Sequence, residues 1–600
     1  MARKTALTAF PFVIVAIAAV LLIVPTMNRS PAIAADEMGA FGFEPGELVA
    51  DFDYRDVEGN KGTLDALLEG NEALVIVMRT AECPVSRRYG HRLAELEEAY
   101  SDKGVQFVYL NISEQDTEED VAEDVERFGF TSPYILDPGR EIGSLLQANV
   151  SSEVFVIDRA KTLRYRGAVD DQHGITFSNP EVHDHYLQNA LDDVLAGVDV
   201  TTPFSEASGC YLEGEVATVP QRGITYHSRI SRIVNQNCVT CHREGGVGPF
   251  ALDSYEQVHG FRHMVHFMVT ADLMPPWFAA PEHGEWENDR RLSDRDKRDL
   301  ISWIEDGAPE GDVEVAALPR KLKPGWMLGT EPDTIITIPA PQQVPPDGVL
   351  DYRHVYVDTN WPEDKWVMAA EVVPTAPQVT HHVIVYLEDE EAEQRGGWLI
   401  GYAPGVPVRH WGETAGKRIP PGQTLMFELH YTTNGEPAVD ETMVGLWFHD
   451  EPPADEVYMA AVATDEFEIP AHAANHEVVA ELEFENAGRI ISLLPHMHLR
   501  GKAFRYDLIR ADGTEKTILE VPNYDFNWQL TYKPIEPFVI EPGDKLRGTA
   551  WYDNSEGNPA NPDPSQSVRY GEQSFEEMMF GFFELIPGRG DAGETSQQDQ

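Results

Sequence analysis

The stretch "NEALVIVMRTAECPVSRRYGHRLAELEEAYSDKGVQFVYLNIS", Asn71 to Ser113, holds two continuous apolar runs on either side of a segment with helical periodicity. Short apolar runs bounded by turn residues read as strands buried on both faces, so the order is strand, a turn carrying Cys83, long amphipathic helix, strand. That is a βαβ unit. Working outward, "TEEDVAEDVERFGF" reads as a helix, "EVFVIDRAKTLRYRG" as a strand hairpin and "VHDHYLQNALDDVLAG" as a closing helix. Strands alternate with helices throughout, and we expect one α/β domain over residues 40–205. His183 and His185 open the closing helix at a spacing that makes them diverge, which points to a surface position.

The whole chain has 600 residues, too many for one core, and its length suits three or four domains. The formal charge of −55 argues against nucleic-acid binding and for a heavily solvated surface. The N-terminus places Arg3 and Lys4 before an apolar run from about Ala6 to Pro25, followed by Ala32-Ile33-Ala34. We expect residues 1–35 to be an export signal, the alternative being an uncleaved membrane anchor. Either way the rest is expected outside the cytoplasm, in the periplasm or extracellular space, where thiols meet oxidising conditions. The polar tail 589–600 reads as disordered. Two Asn-x-Ser sequons, at Asn111 and Asn149, carry weight only in a eukaryotic source.

The first domain resembles the redoxin branch of the thioredoxin-like fold, with "RTAECPVS" in the place of the active-site loop. The resemblance implies that Cys83 sits at a helix N-terminus, where the dipole favours thiolate. Three positions depart from the pattern: Ser86 stands for the second cysteine of C-x-x-C, Ile76 for a loop-preceding proline, and Ser152 for the cis-proline that normally faces the cysteine. Cys210, just past the domain, is either a resolving partner or the other half of a structural disulfide with Cys83. A catalytic thiol and a docking scaffold with one disulfide both remain open.

The region 220–315 contains "NQNCVTCHREGGVGPF", with Cys238-Val239-Thr240-Cys241-His242. This is the C-x-x-C-H pattern of covalent c-type haem attachment: two thiols bind the vinyl groups and His242 reaches the iron. "VTADLMPPWFAAP" offers Met274 as the second axial ligand, in a Met-Pro-Pro loop that resembles that of c-type cytochromes. A thioether there suits electron transfer. His263, Met264, His266 and Met268 lie at helical spacing and read as packing residues. "SDRDKRDLISWIEDGAPEG" reads as the last helix of a small all-α domain, with Ser293 as N-cap and Gly307 near its end.

From residue 322 the pattern changes to short alternating strands such as "THHVIVYLED" and "QTLMFELHYTT", separated by turn residues. Regular spacing of this kind predicts two tandem antiparallel β-sandwiches, 322–465 and 466–588. Histidines recur in order: His381 and His382, His430, then His496 and His498 in "LLPHMHLRG", followed by Glu577-Met578. Residues i and i+2 of a strand share a face, so two imidazoles at that spacing can reach one ion, whereas adjacent ones do so only at a bulge or a strand end. His354, His410, His449, His472 and His476 read as surface.

This order resembles the copper type II, ascorbate-dependent monooxygenases, the peptidylglycine α-hydroxylating and dopamine β-monooxygenase family. The resemblance implies an electron-transfer copper on His381, His382 and His430, and an oxygen-activating copper on His496, His498 and Met578. Thioether favours Cu(I), which suits the second role. At the positions where peptide-amidating relatives grip a carboxylate, this chain has Leu494, Phe580 and Phe582. An apolar small molecule is therefore the expected substrate rather than a peptide.

The leading expectation is an exported copper-dependent monooxygenase with two copper ions and one covalent haem, using dioxygen and a small reductant or electrons passed by the haem domain. Two other functions are carried beside it: an electron-transfer or copper-binding protein that hydroxylates nothing, and a thiol-disulfide oxidoreductase acting through Cys83.

Overall fold

The computed structural model describes residues 44–588 apart from Glu82, 114–115, Asn149, 175–178, Pro180, 211–222, 322–324, Val349, 389–396, Pro407 and 434–435. The expected leader, the expected tail and the Asn149 sequon lie outside the described residues. Among those residues, no helix is long and apolar enough to cross a membrane.

In the first domain, β1 (Ala73–Arg79), β2 (Val105–Asn111), β3 (Tyr134–Leu136), β4 (Val154–Asp158) and β5 (Leu163–Gly167) form one sheet in the order β3-β2-β1-β4-β5. The first three are parallel, and β4 and β5 run antiparallel to their neighbours. All seven residues of β1 are buried because both faces of the sheet are covered. Helices α2 (Gly90–Ser101) and α4 (Tyr186–Ala196) pack Leu93, Leu187 and Leu191 on one face, and Leu64, Ile142 and Leu146 cover the other. The helix α1 (Pro84–Arg88) precedes α2, and α3 (Glu118–Phe128) starts at a capping box made by Thr117 and Asp120. This is the α/β arrangement that the strand and helix order predicts, and the thioredoxin-like one that the resemblance implies.

The next region holds α5 (Ser231–Asn237), α6 (Tyr255–Thr270) and α7 (Asp294–Glu305) around fully buried Trp303. Ser293 caps α7 through Asp296 N–H, and Gly307, two residues past the helix, takes a left-handed φ of 90°. Between α6 and α7 the chain leaves its own core. Trp277 and Trp286 are buried in the core of the last sandwich, held by Ala280 N–H to Glu520 O at 2.8 Å and Glu287 N–H to Lys533 O at 2.8 Å.

The remainder is β-sheet. A four-stranded sheet and a five-stranded one, with the two-residue strand Arg409–His410 added to the second, share one core between residues 334 and 456. Two four-stranded sheets share a second core from Tyr458 to Pro587. The strands needed below are β6 (Thr380–Leu387), β7 (Trp398–Tyr402) and β8 (Thr424–Tyr431) in the first pair of sheets, and β9 (Tyr458–Ala463), β10 (Gly488–His496) and β11 (Phe580–Pro587) in the second. β9 pairs with β11, so residues 458–463, on the near side of the expected 465/466 boundary, belong to the second pair.

Candidate redox sites

His381 and His382 meet on one side because β6 is irregular. Its register against β8 shifts between Thr380 and His382, and His382 then lies directly opposite His430. A bulge turns consecutive side chains toward one face. The three imidazoles are each 9% exposed or less, and one ring nitrogen from each falls within 4.8 Å of the other two. The Nδ1 atoms of His381 and His382 face each other at 3.1 Å, while His381 Nε2 and His430 Nδ1 are buried without a protein partner. Two ligands on a tetrahedral ion with bonds of about 2.0 Å lie ~3.3 Å apart, so this spacing fits shared coordination. Burial lowers all three pKa values, His381 to about 4 and His430 to about 3, with repulsion from neighbouring histidines adding to it. The rings are neutral at pH 7 and their lone pairs are available.

His496 ends β10 and His498 lies two residues beyond it, yet their rings meet at 5.3 Å and 90°. His496 Nδ1 is 2.9 Å from Gln529 Oε1, and His498 Nδ1 is 3.2 Å from Glu576 O. Each acceptor fixes Nδ1 as the N–H, so Nε2 is the atom that would meet a metal. The carboxylate of Glu577 accepts His498 N–H at 2.9 Å and Arg500 N–H at 2.6 Å. Burial raises Glu577 to about 8 despite those bonds. Met578 follows at once, two residues before Phe580, which pairs with His496. Met579 is fully buried in the sandwich core and Met578 is half-buried, its carbonyl taking the Tyr552 hydroxyl at 2.7 Å. Phe526 stands between the two histidine groups, stacked on His381 at 4.9 Å and edge-on to His498 at 6.1 Å. Phe580 and Phe582 stack at 5.2 Å, and Phe582 lies 6.1 Å from His496, so an apolar wall flanks this pair.

Cys238 and Cys241 are free thiols in a turn closing α5, with His242 N–H bonded to Cys238 O at 2.9 Å. His242 Nδ1 lies 3.1 Å from Phe250 O, and burial lowers its pKa. Phe250 stacks on Phe261 at 4.0 Å. Phe261, Met264 and Phe267 on α6 are 39%, 52% and 61% exposed, and Leu273 is 37% exposed. A tethered imidazole beside an open apolar face and two thiols fits a flat apolar group such as haem. Met274 is half-buried at the end of α6, its N–H directed at Met268 O at 3.3 Å. The helical spacing of His263 and Met264 read as packing, but both are exposed. That spacing marks one face of α6 without saying what covers it. His449, read as surface, is half-buried and reaches Ala415 O at 2.9 Å.

Cys83 is the residue before α1 and is buried against a strap, residues 203–210, that returns along the domain. Arg166 N–H donates to Pro203 O at 3.1 Å, and Ser205 N–H donates to Arg166 O at 3.2 Å. Farther along, Ser151 N–H donates to Cys210 O at 3.0 Å, Cys210 N–H to Ser151 Oγ at 3.1 Å, and Ser152 Oγ to Ser208 O. Gly209 makes a close approach here: a Cβ would stand 3.0 Å from Ser152 Oγ and 3.1 Å from Ser151 N, so the two serines would have to give by a few tenths of an ångström. The strap thereby sets Cys210 beside Cys83, near enough for each thiol to influence the other's ionisation. Burial pushes Cys83 up, but hydrogen bonds from Ser151, Ser86 and Cys210 outweigh it and the net shift is down. Cys210 is raised to about 11 by burial and by the neighbouring Cys83. Residues 44–182 match the family model described as Redoxin.

Residues 44–182 form a redoxin domain.

Among solved structures, the chain is similar to a hypothetical protein from Sinorhizobium meliloti, at 27% identity over 28% of this chain and 91% of that one, with a TM-score of 0.26. An uncharacterized conserved protein from Geobacillus kaustophilus gives 25% identity over 29% and 94%, TM-score 0.26. Peroxidoxin BcpB from Mycobacterium tuberculosis gives 18% over 26% and 97%, TM-score 0.21. No curated protein matches.

The redoxin domain adjoins the helical region through Glu47, which pairs with Arg295, and through Arg232, which donates to Ala160 O at 3.0 Å. Sequence reasoning passed over Ser151, Phe526 and Gln529. Ser151 is adjacent to Ser152, already marked by its position, whereas the other two sit in a loop with no motif around them.

Proposed function

We propose that the chain is a redox protein whose redoxin domain carries out thiol–disulfide exchange with Cys83 as attacking thiol and Cys210 as its partner. The observation that carries this is the Ser151–Cys210 hydrogen-bond pairing, which sets Cys210 beside Cys83. The match of residues 44–182 to Redoxin supports it. The lowered pKa of Cys83 favours attack, since thiolate is the nucleophile. Cys83 S⁻ bonds to one sulfur of a substrate disulfide and the other sulfur leaves as a thiol after taking a proton. Cys210 then gives up its proton and attacks Cys83, forming the Cys83–Cys210 disulfide and releasing the second substrate thiol. The substrate gains two electrons and the pair loses them.

The test is to react the full chain with oxidised glutathione and map disulfides by mass spectrometry. The wild type should accumulate Cys83–Cys210, and Cys210→Ser should stall as Cys83–glutathione. If glutathione attaches to Cys210 and leaves Cys83 untouched, Cys83 is not the attacking thiol.

A second reading, favoured by the three-histidine group, is a copper-dependent monooxygenase in the C-terminal region. His381, His382 and His430 would hold an electron-transfer copper, and His496, His498 and Met578 an oxygen-activating copper. Cys238 and Cys241 would bind a covalent haem with His242 and Met274 on its iron. The bound metals supply the one-electron and dioxygen chemistry, while the chain keeps the imidazoles neutral, orients His496 through Gln529 and places an aromatic wall for an apolar substrate. Dioxygen and a small reductant are the implied partners, and the periplasm or extracellular space the implied location. Two coppers and one covalent haem per purified chain, with oxygen uptake lost in Met578→Ala, is the expected result. Metal uptake without ¹⁸O in any product identifies an electron-transfer or copper-binding protein instead.

A further inference from the structure

A cavity of about 50 Å³ lies between the two sandwiches, lined by residues of both, including His382 and Gln529. Its polar lining is rich in donors. Glu584, 2% exposed, takes hydrogen bonds from Arg409, from Trp411 Nε1 at 3.1 Å and from Ser492 Oγ at 2.9 Å, and Lys417 Nζ stands 3.1 Å from its other oxygen. That carboxylate is saturated. Lys417 also meets the carbonyls of Trp398 and Leu399 at 3.2 and 3.0 Å, so its three N–H donors are occupied.

Two donors on the cavity are left over. Arg409, 9% exposed, uses one of its five N–H groups on Glu584. Gln529, 8% exposed, gives its oxygen to His496, and its Nε2 is buried with no partner among the described residues. Arg409 and Lys417 face this one buried carboxylate, and burial together with Arg409 pushes the Lys417 ammonium toward its neutral form. Unpaired buried donors cost free energy that an incoming acceptor relieves. Ile400, Leu494 and Phe583 make the remaining wall apolar.

We propose that this cavity is a binding site for a small monocarboxylate, whose oxygens take Arg409 and Gln529 Nε2 and whose short apolar body rests on Leu494 and Phe583. The volume suits a group of about four heavy atoms, the size of acetate, since about 10–15 Å³ of such space holds one water. The carboxylate is either a free short-chain acid or the acid end of a longer molecule entering from the inter-sandwich cleft. The site requires no metal and stands whether or not the copper reading holds.

The experiment titrates ¹³C-acetate into the full chain, chelator-treated and copper-loaded in parallel, following NMR line broadening. Saturable binding is expected in both, with acetamide failing to compete and both Gln529→Leu and Arg409→Gln weakening it at least tenfold. Should Arg409→Gln fail to fold, as read by circular dichroism, Gln529→Leu decides. Competition by hexanoate at the same site identifies the acid end of a longer molecule, and its failure a free short acid. No saturable binding, equal competition by acetamide, no effect of Gln529→Leu, or binding only when copper is present would each overturn the proposal. The last outcome means direct ligation of the metal, which tests the copper reading separately.

Discussion

The Nδ1 atoms of His381 and His382, neighbours in sequence, lie 3.1 Å apart in the fold. Two rings at that distance cannot both be charged. The group is built for lone pairs rather than for protons, and this sets its response to pH.

In the folded chain His381 titrates at about 4 and His430 at about 3, against 6.5 when unfolded. Between those values the unfolded chain binds more protons, so falling pH destabilises the metal-free fold through that window. Protons compete for the ligand atoms only near its lower end. Copper held at this group, measured by equilibrium dialysis, should therefore stay constant from pH 7 to about pH 5 and fall below it. Half-release near pH 6.5 would mean ordinary surface histidines.

Glu577 ties the backbone N–H groups of His498 and Arg500 in a fully buried place. Glu577→Ala leaves both unsatisfied, at about 1–3 kcal/mol each. A stability loss of roughly 2–5 kcal/mol in urea unfolding is the expected outcome, with Glu577→Gln milder because it keeps a neutral acceptor. A loss under ~1 kcal/mol would show that water replaces the clamp.

A methyl group at Gly209 would press on Ser151 and Ser152. Gly209→Ala should lift the strap and slow formation of the Cys83–Cys210 disulfide at least tenfold in a stopped, mass-mapped time course, while leaving far-UV circular dichroism unchanged. An unchanged rate would mean the strap does not position Cys210.

Trp286 buries its indole in the sandwich core beside Tyr532, ring centres 5.5 Å apart. Burying such a side chain removes about 200 Å² from water, ~5 kcal/mol at 25 cal/mol/Å². Trp286→Ala should cost about 3–5 kcal/mol in the unfolding of the C-terminal sandwich. A change confined to the helical region would contradict the packing described.

The α/β domain was legible because β1 is buried on both faces and its composition says so, and α7 because Ser293 and Gly307 mark its ends. The histidines were legible as residues but not as a site. His381 and His382 converge only through a register shift, and that shift depends on the partner β8, whose His430 lies 48 positions beyond His382. Phe526 and Gln529 come from a loop whose course is set by tertiary packing, so no local periodicity announces them. Trp277 and Trp286 follow Met274 in a stretch that reads as a haem-ligand loop, yet they fill another core. Contacts across such distances in sequence leave no trace in local pattern.

The excursion of residues 277–287 has a practical meaning for anyone dividing this protein. A cut on the C-terminal side of the C-x-x-C-H region, where the sequence invites it, would strip two indoles from the sandwich next door and leave greasy holes behind. The helices and that sandwich are in effect sewn together, and they are best produced, loaded and studied as one piece.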